Sequence, residues 1–167
     1  MQTLNGHTDA IYAVTALADG RLATGSSDQT VMLWDPITGE CVQTLNGHTD
    51  AISAITALAD GRLATGSRDK TMKLWNPTTG ECLQTLDGHA SSVNAIAVLF
   101  DGRLATTSGD KTVKLWDLTT GQCVETLNGH TEWVRAIAAL GDGRLATASG
   151  DKTVKLWGSS YDDEPAL

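Results

Sequence analysis

The chain carries the segment NGHTDAIYAVTALADGRLATGSSDQTVMLWD at residues 5–35, and the same pattern returns three more times. Its most regular markers are His7, which follows a glycine, and Trp34, since each of them recurs every 41 residues. Aligned on this period, the chain divides without gaps into repeats 2–42, 43–83, 84–124 and 125–157. A fixed period of this length indicates a protein built from repeated structural units.

Within one repeat, hydrophobicity and turn residues predict four short β-strands, at residues 11–17, 21–26, 30–34 and 41–45. Asp19-Gly20 supplies the positive φ angles of a tight hairpin, and Pro36 and Gly39 suit a turn. Threonine, glycine and β-branched residues recur too often for long helices. The sequence therefore predicts an all-β fold. Because a lone four-stranded sheet would expose both faces, the units are expected to pack face to face.

At this point the residues resemble a known family. Gly6-His7, then Asp28, then Leu33-Trp34-Asp35 is similar to the WD40 repeat, whose period includes 41 residues. The resemblance implies a WD40 β-propeller with four four-stranded blades per chain. It covers residues 2–157 and departs from the pattern at Asn76 and Gly158, which replace the last Asp. Residues 158–167 are expected to form a disordered acidic tail.

The resemblance also implies a buried chain of hydrogen bonds in each blade, from a Trp indole through a Thr hydroxyl and a His imidazole to an Asp carboxylate. The chemistry is consistent, because indole only donates, carboxylate only accepts, and Thr and His relay between them. We call each set a structural tetrad; the sets are His7, Thr24, Asp28, Trp34; His48, Thr65, Asp69, Trp75; His89, Thr106, Asp110, Trp116; and His130, Thr147, Asp151, Trp157.

Differences between the repeats indicate where a ligand binds. They gather two, three and five residues after the His and just before the tetrad Asp, and these positions flank loops at the same end of a blade. This end of the blades resembles the top face of WD40 propellers, on which partners usually bind. The alternative is drift at exposed positions. The predicted binding residues of the top face are Tyr12, Ser53, Arg68, Asn94, Trp133 and Arg135.

Composition and motifs argue against several other functions. A hydroxyl, an imidazole and a carboxylate are also the parts of a hydrolase triad, but here they recur four times, each set ends on a Trp, and no nucleophile elbow is present. We therefore expect no enzyme, no metal site and no cofactor.

The net charge of −8 disfavours nucleic acid as a partner. Without a signal sequence or an apolar run of about 20 residues, we expect a cytoplasmic protein without membrane contact. The three cysteines are expected to be reduced and to lie in the core.

The two ends of the chain predict how the ring closes. Gln2-Thr3-Leu4 matches the fourth strand of the other repeats, whereas the last repeat has its third strand at Trp157 and no fourth. Four blades in one ring require about 90° between neighbours and eight require about 45°, the angle closer to that of WD40 rings. We therefore expect a homodimer in which two chains form one eight-bladed ring, with a closed four-blade monomer as the alternative.

Taken together, the sequence predicts a non-catalytic interaction scaffold that binds a peptide or protein on its top face. The nearly identical repeats leave a second hypothesis open, a purely structural or engineered assembly without a specific ligand.

Overall fold

A computed structural model of the chain describes residues 1–158. Apart from Gly158, the tail predicted at residues 158–167 lies outside the described residues. The described residues form short strands separated by tight turns. They are β1 Ile11–Ala16, β2 Leu22–Ser26, β3 Val31–Trp34, β4 Cys41–Leu45, β5 Ile52–Ala57, β6 Leu63–Ser67, β7 Met72–Trp75, β8 Cys82–Leu86, β9 Val93–Val98, β10 Leu104–Ser108, β11 Val113–Asp117, β12 Gln122–Leu127, β13 Val134–Ala139, β14 Leu145–Ser149 and β15 Val154–Trp157.

The strands pair antiparallel in chain order and form four sheets, one for each repeat. The first three blades are β1–β4, β5–β8 and β9–β12. Among the described residues, the fourth blade contains three strands, β13–β15, so the third of them has no neighbour on its outer side. The predicted all-β fold and the strand order within each repeat are confirmed.

Two kinds of turn join the strands at opposite ends of each blade. Where β1 meets β2, Gly20 has a φ of +91° and the Leu17 amide donates to the Arg21 carbonyl at 2.8 Å. Where β2 meets β3, the left-handed position is held by Gln29, with a φ of 73°. An L residue adopts this region at a cost. The Asp28 carboxylate stabilises the turn, because it accepts hydrogen bonds from both the amide and the hydroxyl of Thr30.

The hydrophobic core lies mainly between neighbouring blades. Ile52 at the start of the second blade is buried against Gly25 of the first, and a Cβ atom at Gly25 would lie 2.5 Å from the Ile52 Cγ2 atom. Val93 lies in the same way against Gly66. A small residue on one blade therefore receives a β-branched residue of the next.

Residues 2–4 lie beside the first blade although they form no strand. Leu4 approaches Gly39 with its Cδ2 atom 3.6 Å from a Cβ built there, and Leu45 has the same distance to Gly80. Leu45 belongs to the outer strand of the blade before Gly80. The N-terminal segment thus takes the position of an outer strand of a preceding blade, without a described strand to pair with.

The expectation that the cysteines lie in the core was wrong, whereas the expectation that they form no disulfide agrees with the structure. Cys41, Cys82 and Cys123 are free thiols, and all three are exposed. They begin or lie near the start of the outermost strand of their blades, where one strand edge has no partner and side chains remain open to solvent.

Candidate functional site

Each blade brings together the four members of its predicted tetrad. In the second blade, the Trp75 Nε1 atom donates to the Thr65 hydroxyl at 2.8 Å, and that hydroxyl lies 2.7 Å from the His48 Nε2 atom. The His48 Nδ1 atom lies 2.7 Å from the Asp69 Oδ2 atom. The other three blades repeat this geometry, with all corresponding distances between 2.6 and 2.8 Å.

The tetrads of the second and third blades favour a neutral imidazole and an ionised carboxylate. Burial lowers the pKa of His48 and of His89 and outweighs the opposing effect of their Asp partners. For Asp69, burial opposes ionisation, but hydrogen bonds from the Thr71 side chain, from the Thr49 and Thr71 amides and from His48 lower its pKa to about 2. A neutral His with its proton on Nδ1 can donate to Asp and accept from Thr.

This arrangement supports the fold and leaves the tetrad threonine closed to a substrate. The Thr65 hydroxyl accepts from the indole, so its own proton is available to His48 Nε2. Thr65 is fully buried beneath Trp75. A substrate carbonyl could not approach that oxygen, as acyl transfer would require. The tetrad fixes the loop between consecutive blades onto β6 and β7 and thereby positions the top face.

We define the top face as the end of the blades that carries the tetrad His and Asp residues and the turns between the second and third strands. Four of the predicted binding residues on this face share one backbone feature: each lies at a β-bulge in the first strand of its blade. The pairing register shifts across Tyr12, Ser53, Asn94 and Arg135. A bulge re-aims the side chain that it carries. Sequence periodicity indicated variability at these positions but could not reveal the bulge.

Four of the predicted binding residues meet on the top face in two cation–π contacts. The Arg68 Cζ atom lies 5.2 Å from the centre of the Tyr12 ring, although the two residues belong to different blades. The Arg135 Cζ atom lies 5.6 Å from the Trp133 ring. Tyr12 and Trp133 remain 49% and 52% exposed. Tyr, Trp and Arg are the residue types most enriched in binding hot spots.

Ser53 and Asn94 contact the neighbouring blade instead of pointing freely into solvent. The Ser53 hydroxyl donates to the carbonyl of Val93, and the Asn94 amide donates to the carbonyl of Val134 at 2.8 Å. These two predicted binding residues therefore join successive blades at the top edge of their contact.

Charge is distributed differently at the two ends of the blades. At the opposite end, each Arg of the hairpin between the first and second strands pairs with the Asp two residues before it, for example Arg21 with Asp19 at 2.7 Å. On the top face, neither Arg68 nor Arg135 has a carboxylate partner within the described residues. Lys111, a residue that the sequence pattern did not single out, lies with its Nζ atom 3.8 Å from the Glu132 carboxylate of the next blade.

Within residues 1–158, no group of three His, Cys, Asp or Glu side chains converges as a metal site would require. The same part of the chain has no helix long and apolar enough to cross a membrane.

Comparison with known proteins identifies the repeats. The family model described as "WD domain, G-beta repeat" matches residues 1–35, 39–76, 80–117 and 121–158. The chain belongs to the WD40-repeat family. WD40 domains generally serve as non-catalytic scaffolds that bind other proteins.

Solved structures show the same WD40 architecture. The chain is similar to "Structure of U3-55K", with a TM-score of 0.87 and 29% identity over 93% of this chain and 51% of that chain. It is equally similar to "Crystal structure of RRP9 WD40 repeats", with a TM-score of 0.87 and 29% identity, covering 93% of this chain and 50% of that one. The chain thus spans about half the length of each of these two solved chains.

Curated relatives match over a single repeat. Eukaryotic translation initiation factor 3 subunit I of Aspergillus niger is 50% identical over 42 residues, which are 25% of this chain and 12% of that protein. The same subunit of Debaryomyces hansenii is 52% identical over 42 residues, with the same coverage. The matched segment spans only a small part of those relatives.

Proposed function

We propose that this WD40 chain is a non-catalytic scaffold that binds a peptide or a protein segment on its top face. The observation that supports it most directly is the pair of half-exposed aromatic rings, Tyr12 and Trp133, each with an arginine over it. An aromatic side chain offers a large contact area and has only two rotatable side-chain bonds, so ordering it on binding costs little entropy. A protein partner is favoured over nucleic acid because the chain carries a net charge of −8.

The test of this function is selection from a displayed peptide library on the intact protein, followed by calorimetric titration of the selected peptide. We expect the double variant Trp133→Ala, Arg68→Ala to weaken binding at least tenfold, since hot-spot truncations commonly exceed 1–2 kcal/mol, or about tenfold in affinity. The matched control is Phe100→Ala, which removes an exposed aromatic ring at the opposite end of the blades. Native mass is measured for all variants.

Two results would contradict the top-face site. One is a selected peptide whose affinity falls with Phe100→Ala and not with the double variant. The other is a library without any specific binder, which would favour a structural assembly without a ligand.

We further propose that two chains complete one eight-bladed ring, in which residues 2–4 of each chain become the outer strand of the other chain's fourth blade. The open outer edge of β15 and the position of Leu4 against Gly39 support this arrangement. An unpaired edge strand favours pairing with another chain. The chain spans about half the length of a solved chain with a similar fold, and two copies with four blades each would together supply eight blades.

Light scattering coupled to size exclusion tests this assembly. The expected mass is twice the 17.6 kDa of one chain and remains so at micromolar concentrations. A single species of 17.6 kDa at every concentration would instead indicate a monomer, either open or closed with four blades.

A further inference from the structure

Side chains at the β-bulges join neighbouring blades inside the chain. Ser53 donates to the Val93 carbonyl, and Asn94 donates to the Val134 carbonyl. In both cases the donor is the bulge residue of one blade, and the acceptor is the residue that begins the first strand of the next. The residue at the bulge therefore joins consecutive blades by a hydrogen bond, and we call this hydrogen bond the tie.

Each tie lies beside an apolar contact between the same two blades. Val93, whose carbonyl accepts from Ser53, also packs its side chain against Gly66. Val93 and Val134 are fully buried by this packing. One contact between blades thus combines a β-branched residue, a small residue that receives it, and a polar tie at the top edge.

The first and fourth blades expose the two separate halves of such a contact. On the first blade, Ile11 is 50% exposed and Val14 is 65% exposed, although the equivalent Ile52 is buried. On the fourth blade, a shallow hollow is lined by Ile137 and by small residues, among them Ala148, which is equivalent to Gly25 and Gly66. Ile11 and the hollow at Ala148 therefore correspond to the two sides of the contact that Ile52 and Gly25 make within the chain.

Arg135 occupies the tie position on the blade that carries this hollow. Its guanidinium lies against the Trp133 ring, and its Nε atom is 3.9 Å from a Cβ built at Gly150. The aromatic contact limits the side chain's freedom before any partner arrives. A guanidinium carries five N–H donors, so stacking leaves donors free for a carbonyl.

Charges at the same edge complement each other. Lys111, in the turn between the second and third strands of the third blade, lies 3.8 Å from Glu132, two residues after the tetrad His of the fourth blade. The equivalent cation on the open side of the fourth blade is Lys152, and the equivalent acid on the first blade is Asp9. One open face therefore carries an Arg and a Lys, and the other carries a carboxylate.

We infer that Arg135 fastens one chain to a second copy by donating to its Ile11 carbonyl, while the Ile11 side chain of that copy fills the hollow at Ala148. This inference rests on the proposed two-chain ring, in which two such junctions form. The second copy is the occupant that the structure favours, because its first blade can reproduce the packing that Ile52 makes on Gly25 and Val93 makes on Gly66 within the chain.

The experiment is a dilution series of the full chain followed by sedimentation velocity, with circular dichroism as the check on folding. Arg135→Ala is expected to raise the dimer dissociation constant by about tenfold or more, as the loss of one hydrogen bond to a charged donor does. Arg135→Asn installs the side chain that makes the tie in the third blade and is expected to recover most of the affinity. A second pair separates packing from the tie: Ala148→Leu fills the hollow and yields monomer, whereas Ala148→Gly restores the residue found at Gly25 and preserves the dimer.

The results separate this inference from the ring on which it rests. If the unmodified chain sediments as a monomer at all concentrations, both the ring and the role of Arg135 are overturned. A dimer that Arg135→Ala and Ala148→Leu leave unchanged would retain the assembly and refute this junction. Equal weakening by Arg135→Ala and Arg135→Asn would refute the carbonyl hydrogen bond. A compact 17.6 kDa species in which Ile11 is protected from solvent would assign the hollow to the chain's own first blade.

Discussion

The Trp75 indole donates its only hydrogen to the Thr65 hydroxyl at 2.8 Å, and both side chains are fully buried. This bond joins two adjacent strands and continues through His48 to Asp69. Each tetrad therefore connects a side chain deep in the sheet to a turn at the top face.

Trp75→Phe removes this donor while keeping an aromatic ring. We expect the free energy of unfolding to fall by about 1–3 kcal/mol, because Thr65 loses a partner and the smaller ring packs less completely. Urea denaturation followed by circular dichroism measures the change. Trp133→Phe is the control, since its ring is half-exposed, and we expect a change within about 0.5 kcal/mol. Equal midpoints for the Trp75→Phe chain and the unmodified chain would contradict a stabilising role.

Acidification is expected to destabilise the chain in two stages. The pKa of His48 and His89 is lowered from 6.5 by burial, so their neutral forms stabilise the fold above pH 6.5, and this contribution declines as the pH falls. The pKa of Asp69 and Asp110 is lowered from 3.8 to about 2 against the effect of burial, so their contribution is present above pH 3.8 and is lost towards pH 2. Urea midpoints measured from pH 8 to pH 2 test the sign of both stages. A midpoint that stays constant or rises on acidification would contradict it.

Neighbouring threonines in β10 are expected to respond in opposite directions to the same substitution. Thr106 is a tetrad member that accepts from Trp116 at 2.7 Å, whereas the buried Thr107 hydroxyl has no hydrogen-bond partner among residues 1–158. Replacing an unpaired buried hydroxyl by a methyl group removes a desolvation cost. We therefore expect Thr107→Val to raise the free energy of unfolding by about 1 kcal/mol and Thr106→Val to lower it by about 1–3 kcal/mol. Thermal melts of the two variants measure the change. If both substitutions lower the melting temperature, the Thr107 hydroxyl has a hydrogen-bond partner in solution.

The position of Thr107 illustrates what the sequence reveals and what it does not. Period and turn residues predicted the strands, and the WD40 resemblance supplied the tetrad that includes Thr106, because these features repeat locally along the chain. Thr107 stands at the position of Gly25 and Gly66, and its contact with the next blade depends on how two sheets pack. The same limit applies to Ser53 and Asn94, whose variability indicated a ligand surface although their side chains join blades. It also applies to the cysteines, because their spacing along the chain does not reveal whether they are buried or exposed.

Gly66 tests the close packing between the second and third blades. A Cβ atom there would lie 2.6 Å from the Val93 Cγ1 atom, which belongs to a buried side chain with little freedom to move. We expect Gly66→Ala to destabilise the chain by about 1–3 kcal/mol, as overpacking of a core does. Gly141→Ala is the matched control, since among the described residues no atom beyond those of Gly141 and its two chain neighbours lies within 4 Å of the added carbon. Chemical denaturation of both variants should separate them clearly, and similar midpoints would mean that the blades can shift apart without cost.

A designed cross-link tests the strand register of the proposed ring. In the second and third blades, Lys73 lies opposite Thr85 and Lys114 opposite Thr126, and each Lys donates to the Thr hydroxyl, at 2.8 and 2.9 Å. The equivalent pair across the proposed junction is Lys155 of one chain and Thr3 of the other. Directly opposed residues of antiparallel strands have Cβ atoms about 4.5–5.5 Å apart, which is close enough for a disulfide after small adjustments.

We therefore expect Thr3→Cys with Lys155→Cys, in a chain whose three native cysteines are replaced by serine, to form covalent dimers under mild oxidation. Non-reducing electrophoresis detects them. The control combines Thr3→Cys with Lys114→Cys, because Lys114 already faces Thr126 in its own blade and should not cross-link. A disulfide confined to single chains would support four-blade closure instead, since residue 3 can reach residue 155 of its own chain only if the first and fourth blades meet. Equal cross-linking of the test and control chains would indicate random collision between exposed thiols and would refute the predicted register.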